Sequence, residues 1–297
     1  MDKNGMNCNI CGNKKMELFL KTPEGDYLKC LNCGVVQHSN VPSISAIGKI
    51  YNREYFTKKK EGRGADFIGE EKLYKERFSD RLKRIEKRIK KGRMLDIGAS
   101  VGHFMSVAKE HGWDVSGIEI SADAVEMAKQ RYRLDIQIGT IDDINIEKGL
   151  FDVVTLWHVF EHFPDPLSPL RKIYDCVRDG GLLVMELPNI ESKEAKSDIT
   201  KWSFLMPDEH IHHYTPKAIS ILLETNGFKV ENIEYASGGT GIGEKMEKLG
   251  IAGIKNLLLK IFPPARWMRK GLLKVLTVHG SEEIMIIFAR KIKQNPR

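Results

Sequence analysis

The stretch Met94–Phe104 limits the fold of this chain more than any other segment. Its first residues form a short apolar run with the acid Asp96 near its end, and five residues without bulky side chains follow, from Gly98 to Gly102. From His103 onward, apolar residues recur at helical spacing. This order predicts a strand, a tight turn and a helix, a geometry that lets a ligand lie against backbone N–H groups at a helix N-terminus.

A second acid follows at a spacing that suits a nucleoside. The predicted strand Trp113–Ile120 ends near Glu119, and a carboxylate at this place can accept hydrogen bonds from both hydroxyls of a ribose. The third glycine of a dinucleotide-binding turn is missing, and anionic Asp96 would repel a pyrophosphate but attract the ammonium group of an amino acid. The pattern therefore favours a nucleoside that carries an amino acid, with an unrelated glycine-rich turn of a doubly wound sheet as the alternative.

These residues resemble the first motif of class I S-adenosylmethionine (SAM) methyltransferases, in which a strand ends with an acid and continues Gly-x-Gly-x-Gly. This chain departs from the motif at Ser100, which stands in place of the middle glycine. The resemblance implies an α/β fold with a doubly wound, mostly parallel, seven-stranded Rossmann-like sheet, and SAM as the cofactor. It also implies the following cofactor-binding residues: Asp96, Gly98, Ser100, Gly102, Glu119, Ile120, Thr140, Ile141 and Trp157.

Two Cys-x-x-Cys-Gly sequences stand near the N-terminus, and they contain Cys8, Cys11, Cys30 and Cys33. Paired cysteines at this spacing supply four thiolates to one tetrahedral zinc ion. Four protein ligands leave no open position for a substrate, and a small segment with few core residues needs such a metal for stability. The sequence therefore predicts a small N-terminal zinc ribbon with a structural zinc ion.

The formal net charge of +7 is concentrated in two segments. Residues 58–93 contain fifteen Lys or Arg against seven Asp or Glu, and residues 240–280 contain eight against two. This excess argues against basic partners and leaves an anionic substrate, a phosphate backbone or an anionic membrane surface open. Residues 1–15 do not resemble a signal peptide, and no apolar run reaches the roughly 18 residues of a spanning helix. We therefore expect a cytoplasmic protein.

The patterns divide the chain into five segments. They are the zinc ribbon (1–40), a linker with a basic helix (41–92), the SAM-binding core (93–237), a basic amphipathic helical insertion (238–280) and the last strand with the tail (281–297). Basic amphipathic segments too short to span a membrane are typical of elements that lie on a membrane surface or bind a partner. The insertion therefore predicts peripheral membrane contact, with a helical cap over the core as the alternative.

Two Glu-His pairs stand in loops at the predicted catalytic end of the sheet. The first, Glu161-His162, resembles the EHxxDP segment common in this methyltransferase group. The second, Glu209-His210, resembles in its position the pair of sugar C-methyltransferases with an N-terminal zinc domain, in which the histidine serves as a base. The resemblance implies that His210 is the general base with Glu209 beside it, and that His162 lines the substrate pocket. An adjacent carboxylate suits such a role, because it orients a histidine that titrates near neutrality.

The histidines also leave a catalytic metal ion open. His158 with His162, or His210 with His212 and His213, stand at spacings that can ligate a metal. No further cluster of carboxylates accompanies them in the sequence. We therefore favour proton transfer as their role.

The function that follows is methyl transfer from SAM to a hydroxyl or a sugar carbon of a small metabolite, with lipid-linked and nucleotide-linked acceptors both included. One alternative is an RNA methyltransferase that uses the zinc ribbon and the basic helix. Enzymes that methylate exocyclic base amines usually carry an Asn/Asp-Pro-Pro-aromatic loop after the fourth strand, and Trp157-His158 stands there instead, so nucleic acid is not the expected partner. The other alternative is a non-catalytic SAM-binding partner protein.

Overall fold

The computed structural model describes residues 7–57, 66–236 and 282–293. The predicted insertion 238–280 lies outside these ranges. Within the described part of the chain, no helix is both long enough and apolar enough to cross a membrane.

Eleven strands and eight α-helices make up the described part. The strands are β1 (Met16–Thr22), β2 (Gly25–Cys30), β3 (Val36–His38), β4 (Arg93–Ile97), β5 (Asp114–Glu119), β6 (Ile136–Ile138), β7 (Phe151–Trp157), β8 (Val177–Pro188), β9 (His212–His213), β10 (Phe228–Ala236) and β11 (Ile284–Lys291). The helices are α1 (Ile44–Ile50), α2 (Arg53–Thr57), α3 (Glu71–Glu86), α4 (His103–Glu110), α5 (Ala122–Tyr132), α6 (Leu167–Cys176), α7 (Lys193–Ser197) and α8 (Pro216–Thr225). Two short 3₁₀ helices lie at Phe160–His162 and Ile199–Lys201.

The central sheet has seven strands in the order β10-β11-β8-β7-β4-β5-β6. The pairs β4–β5, β4–β7, β5–β6 and β7–β8 are parallel, and β11 is antiparallel to both of its neighbours. The predicted doubly wound, mostly parallel sheet is therefore confirmed. All parallel strands present their carboxyl ends at one edge, which is where ligands bind in open sheets of this kind.

Successive residues of the central strands face opposite helical layers, as the two-residue period of a strand requires. Leu95 packs in one buried cluster with Leu170 of α6 and Leu222 of α8. Met94 packs in a second cluster with Leu82 of α3 and with residues of α4. Both faces of the sheet are therefore covered, which agrees with the mostly apolar sequences of β4, β7 and β8.

The basic helix predicted within residues 41–92 is α3, which ends at Glu86. The N–H groups of Arg88 and Ile89 then donate to Ile85 O. The chain then enters β4, where Arg93 N donates to Asp152 Oδ2 at 2.8 Å. The segment 190–206 contains α7 and a short 3₁₀ helix.

A second, four-stranded sheet joins the cysteine-rich segment to the core, in the order β1-β2-β3-β9. Strands β1 to β3 come from the first forty residues, whereas β9 comes from the core. The antiparallel pairing of β3 with β9 places Val36 opposite His213 and Gln37 opposite His212. The predicted ribbon and the segment that follows His210 therefore share one sheet.

Candidate active site

The turn after β4 has the backbone shape that the glycine-rich motif predicts. Gly98, Ser100 and Gly102 adopt φ angles of +71°, +52° and +82°. A Cβ atom at Gly98 would lie 2.3 Å from Val159 Cγ2, so that position has no room for a side chain. Ser100 adopts a left-handed conformation that costs free energy for a residue with a Cβ atom. Its Oγ is buried without a hydrogen-bond partner among the described residues, which leaves it available to a polar ligand.

Glu119 closes the same turn from the end of β5. Its two carboxylate oxygens accept hydrogen bonds from Ser100 N at 2.8 Å and from Ser121 N at 2.9 Å. Each oxygen keeps a second lone pair, so the side chain can still accept from the hydroxyls of a ribose. Burial raises the pKa of Glu119 although the backbone N–H groups partly oppose the change.

Asp96 is 2% exposed and lies at the floor of the same region. Its Oδ1 accepts a hydrogen bond of 2.7 Å from Thr155 Oγ1 on the neighbouring strand β7. Burial raises the pKa of Asp96 to about 8, and the nearby charge of Glu119 adds to this effect. A buried carboxylate of this kind gains free energy from a cationic ligand. The ammonium group of an amino acid therefore fits beside Asp96.

Three other predicted cofactor-binding residues, Ile120, Thr140 and Ile141, lie outside this turn. Ile120 lies under α1, where a Cβ atom at Gly48 would be 3.4 Å from Ile120 Cδ1. Thr140 is held by Asp143, which accepts from its hydroxyl at 2.6 Å. Ile141 is 1% exposed and belongs to the main core cluster.

Trp157 ends β7, and its ring packs edge-on against Phe104 of α4 at a centroid distance of 4.7 Å. A second ring, that of Phe78 on α3, lies 5.7 Å away. The indole is nearly buried and belongs to the core cluster between the sheet and these two helices. Trp157 therefore supports the floor of the site from this side.

Helices α1 and α2 cover the site from above. Ser121 Oγ donates to Tyr51 O at 2.5 Å, and Arg53 N donates to Asp123 Oδ2 at 2.8 Å. Tyr51 OH lies 3.2 Å from His162 Nδ1, and Tyr55 OH donates to Glu209 Oε2 at 3.2 Å. The aromatic residues before the core thus touch both predicted Glu-His pairs, which encloses the site.

The two predicted catalytic histidines face each other. The rings of His162 and His210 lie 4.8 Å apart at an interplanar angle of 75°. His162 Nδ1 lies 2.9 Å from Glu209 O, and His210 Nδ1 lies 2.8 Å from Phe204 O. A carbonyl oxygen only accepts, so both rings carry their proton on Nδ1 and leave Nε2 as an acceptor. Burial lowers the pKa of His210 well below the ordinary value, which keeps this ring neutral.

A buried ion-pair network adjoins these histidines. His158 lies 3.3 Å from both Glu161 Oε1 and Glu186 Oε1, and Arg81 Nε donates to Glu186 Oε2 at 2.6 Å. Burial alone would lower the pKa of His158, but the hydrogen bonds with Glu161 and Glu186 outweigh it and raise the pKa to about 9. Burial would likewise raise the pKa of Glu186, yet His158 and Arg81 lower it to about 2. The network therefore holds charged groups inside the protein.

No sequence pattern pointed to Arg81, and only a weak one pointed to Glu186, an acid near the end of a buried strand. Strand β9 places His212 and His213 in the second sheet, and the ring of His213 lies 5.9 Å from that of His210. The ring of His213 packs against Tyr27 and Trp202, both at 5.4 Å. Among the described residues, His210, His212 and His213 do not come together as a metal-ligating group; the ligand atoms of Glu161, His162 and His210 do.

The four predicted zinc ligands converge on one point. Cys8 Sγ lies 3.6 Å from Cys33 Sγ, and Cys11 Sγ lies 3.5 Å from Cys30 Sγ. A tetrahedral zinc ion with Zn–S bonds of about 2.3 Å needs sulfur atoms about 3.8 Å apart. All four sulfurs lie within 4.8 Å of one another. The residues therefore fit a tetrahedral zinc ion.

Sequence comparison finds the chain similar to methyltransferases. The profile of a family described as "Methyltransferase domain" matches residues 70–233. A ubiquinone biosynthesis O-methyltransferase from Coxiella burnetii is 26% identical over 166 residues, which cover 52% of this chain and 71% of that protein. A probable S-adenosylmethionine-dependent methyltransferase from Mycolicibacterium smegmatis is 24% identical over 190 residues, which cover 64% of this chain and 72% of that protein.

Solved structures show the same fold. A SAM-dependent methyltransferase from Archaeoglobus fulgidus superposes with a TM-score of 0.50 at 21% identity, over 76% of this chain and 99% of that chain. A SAM-dependent methyltransferase from Methanosarcina mazei gives a TM-score of 0.51 at 14% identity, over 71% of this chain and 98% of that chain.

Proposed function

This chain belongs to the methyltransferase domain family, whose profile covers more than half of it, and we propose that it transfers a methyl group from SAM to a hydroxyl or a sugar carbon of a small molecule. The observation that carries the proposal is the pair of buried carboxylates, Asp96 and Glu119, on either side of the left-handed turn Gly98–Gly102. Bound SAM supplies a methyl group on a positively charged sulfur.

Each carboxylate would bind a different part of the cofactor. Asp96 would accept hydrogen bonds from the ammonium group of the amino-acid part, because a buried carboxylate favours a cation. Glu119 would accept from the ribose hydroxyls with its remaining lone pairs. The turn between them presents backbone N–H groups at the start of α4, and Ser100 Oγ is a further polar group for the ligand.

His210 is the proposed proton acceptor, with Glu209 beside it and His162 in the substrate pocket. The support for this role is that the Nδ1 atom of each ring lies against a backbone carbonyl, which leaves Nε2 as the basic atom. Alignment of nucleophile and methyl carbon provides most of the rate enhancement in a displacement of this type, roughly 7–11 kcal/mol. A positioned base adds about 10²- to 10⁴-fold.

The cover formed by α1 and α2 favours a small acceptor. Tyr51 and Tyr55 contact both Glu-His pairs, so a macromolecular substrate would have to displace them. The name of the Coxiella burnetii relative, a ubiquinone biosynthesis O-methyltransferase, supports an oxygen acceptor on a small molecule.

The basic helix α3 gives little support to RNA as the substrate. Several basic residues of α3 and of the turn after it pair with acids of this chain: Arg81 with Glu186, Arg84 and Arg88 with Glu234, and Lys75 with Glu110. Phosphate contacts would have to break these ion pairs. Binding to RNA that weakens steeply as salt rises would support the RNA reading.

A structural zinc ion is the second ligand that we propose. The sulfur–sulfur distances of 3.6 Å between Cys8 and Cys33 and of 3.5 Å between Cys11 and Cys30 support it, because they are close to those of a tetrahedral site. The four thiolates would hold the metal without an open position, so the zinc ion would stabilise the second sheet and take no part in methyl transfer.

The test is incubation of the protein with methyl-labelled SAM and extracts separated into nucleotide-sugar, lipid and RNA fractions. We expect label in a small-molecule fraction. A His210→Asn variant should bind SAM with wild-type affinity by calorimetry and lose turnover, while a His111→Asn variant on the far side of α4 serves as the matched control. Wild-type turnover in His210→Asn would show that His210 is not the base. Calorimetry that detects no heat on addition of SAM would contradict the proposed cofactor.

A further inference from the structure

Three side chains at the catalytic end of the sheet have the arrangement of an unassigned metal centre. The ligand atoms of Glu161, His162 and His210 all lie within 4.8 Å of one another. We propose that these three residues bind a divalent first-row transition-metal cation, distinct from the zinc ion of the four cysteines. The proposal rests on the proposed methyl transfer and adds a metal ion to that same site.

The hydrogen bonds of the two histidines favour metal binding. Each directs Nδ1 at a backbone carbonyl, His162 at Glu209 O (2.9 Å) and His210 at Phe204 O (2.8 Å). Histidines that ligate metals nearly always donate their other ring N–H in this way, because the bond fixes the tautomer and the ring orientation. Nε2 of each ring is therefore the atom left to coordinate a cation.

Glu161 supplies the negative charge. The residue is fully buried, and His158 occupies only its Oε1, at 3.3 Å. Its Oε2 is buried without a hydrogen-bond partner among the described residues. A buried carboxylate oxygen without a partner is costly, and a cation at this point would satisfy it. His158 then acts as the group that orients the carboxylate.

The ligand set selects the class of ion. Two imidazoles and one carboxylate with open positions are typical of Zn²⁺ and Fe²⁺ sites, and imidazole suits the later first-row metals better than Mg²⁺ or Ca²⁺. Metal–ligand bonds of about 2.0–2.2 Å require ligand atoms about 3.4 Å apart in a tetrahedral site. His210 Nε2 lies 4.0 Å from Glu161 Oε1, the oxygen that also faces His158, so a metal held through this oxygen requires a closure of roughly 0.6 Å.

A metal in this place changes the role of His210. With three protein ligands, the cation keeps at least one position for the oxygen of the methyl acceptor. His210 then acts as a metal ligand, and the metal-bound hydroxyl of the acceptor, made more acidic by the cation, releases its proton to solvent. The two roles can be distinguished by mutation, because only the role as a metal ligand requires Glu161.

The test is a titration with Co²⁺ of protein that carries one equivalent of zinc. Zinc first fills the thiolate site, so we expect one further Co²⁺ per chain with weak visible absorption and without the intense near-ultraviolet band of cobalt bound to thiolate. Glu161→Gln and His162→Gln should each weaken Co²⁺ binding by at least about 100-fold and keep SAM affinity at the wild-type level. His111→Gln, which removes a histidine outside the site, should bind Co²⁺ as the wild type does.

The outcomes separate this inference from the methyltransferase proposal. One metal ion per chain in total, or Co²⁺ binding that Glu161→Gln leaves unchanged, would overturn the metal centre. Methyl transfer that continues in chelator-treated protein with its thiolate zinc intact would also overturn it, and would leave His210 as the proton acceptor. Absence of methyl transfer with Co²⁺ bound at the three residues would instead count against the proposed function.

Discussion

The hydroxyl of Thr215 donates a hydrogen bond of 3.0 Å to the carbonyl oxygen of Cys33. It therefore joins the second cysteine pair to the N-terminus of α8, five residues after His210. His38 N also donates to Ile211 O at 2.9 Å, and Val36 pairs with His213. The segment that carries the proposed base thus continues directly into the sheet formed with the cysteine-rich segment.

Loss of the zinc ligands should consequently disturb catalysis more than cofactor binding. We expect Cys33→Ser to lower zinc content to near zero, to lower the midpoint of thermal unfolding by several degrees, and to reduce methyl transfer by at least about tenfold. SAM affinity should change by less than about threefold, because Asp96 and Glu119 lie on other strands. Metal analysis, thermal denaturation and calorimetry measure these quantities.

Cys176→Ser is the matched control for that variant. Cys176 is a buried cysteine of α6 that takes no part in the four-thiol cluster, so its replacement should leave zinc content unchanged. Equal losses of SAM affinity and of methyl transfer in Cys33→Ser would mean that the effect is general unfolding and not a local displacement of His210.

Asp96→Asn tests the buried carboxylate. Hydrogen bonds to charged groups contribute about 1.5–3 kcal/mol, so we expect SAM affinity to fall about 10- to 100-fold when the charge is removed. The variant keeps the shape of the side chain and an oxygen that can accept from Thr155 Oγ1. An unchanged dissociation constant by calorimetry would exclude a contact between Asp96 and the ammonium group.

The same variant should flatten the pH dependence of stability without cofactor. The pKa of Asp96 rises from an ordinary 3.8 to about 8 in the folded protein, so between these values the native state holds a proton that the unfolded state has released. The contribution of Asp96 to the free energy of unfolding therefore falls as pH rises through this window. Urea unfolding at pH 5, 6.5 and 8 should show a steeper decline in the wild type than in Asp96→Asn.

Arg81→Met tests the buried ion pair under the site. Arg81 and Glu186 are both nearly buried, so removal of the arginine leaves a buried carboxylate with less compensation, at a cost of about 3 kcal/mol in the free energy of unfolding. Lys75→Met breaks the more exposed pair with Glu110 and should cost less than about 1 kcal/mol. Similar losses for both variants in urea denaturation would show that burial of the pair has no special effect.

The sequence carried enough information for the elements that local patterns determine. The turn at Gly98–Gly102 consists of small residues, and an apolar run precedes it, so its position and its role could be predicted from the sequence. The positive φ angles at this turn agree with that prediction. The four cysteines were readable for a similar reason, because metal spacing is a short-range pattern. The alternation of strands and helices from Arg93 onward predicted the sheet, since each element has its own period.

Contacts between distant segments were not readable in the same way. Arg81 and Glu186 are 105 positions apart, and neither residue is unusual in its local sequence. The two-residue strand β9 is too short to leave a periodic signal, yet it fixes how the cysteine-rich segment meets the core. The convergence of Glu161, His162 and His210 depends on the placement of two separate loops, which no single sequence window contains.

The contact between Tyr55 and Glu209 provides the last prediction. Tyr55 OH donates to Glu209 Oε2 at 3.2 Å and ties the cover helix α2 to the segment of the proposed base. Burial and the neighbouring carboxylate of Glu209 raise the pKa of Tyr55, so the hydroxyl stays protonated and remains a donor at neutral pH. Tyr55→Phe keeps the ring and its edge-on contact with Phe56 but removes this hydrogen bond.

We expect Tyr55→Phe to lower kcat/KM for the acceptor about tenfold, the loss of roughly 1.4 kcal/mol that one hydrogen bond to a charged group can supply. SAM affinity should stay within about twofold of the wild type, because Tyr55 contacts neither Asp96 nor Glu119 directly. Tyr235→Phe, which alters an exposed tyrosine of β10, should leave both quantities unchanged. If Tyr55→Phe instead weakens SAM binding and leaves kcat/KM at saturating SAM intact, α2 covers the cofactor and does not position the base.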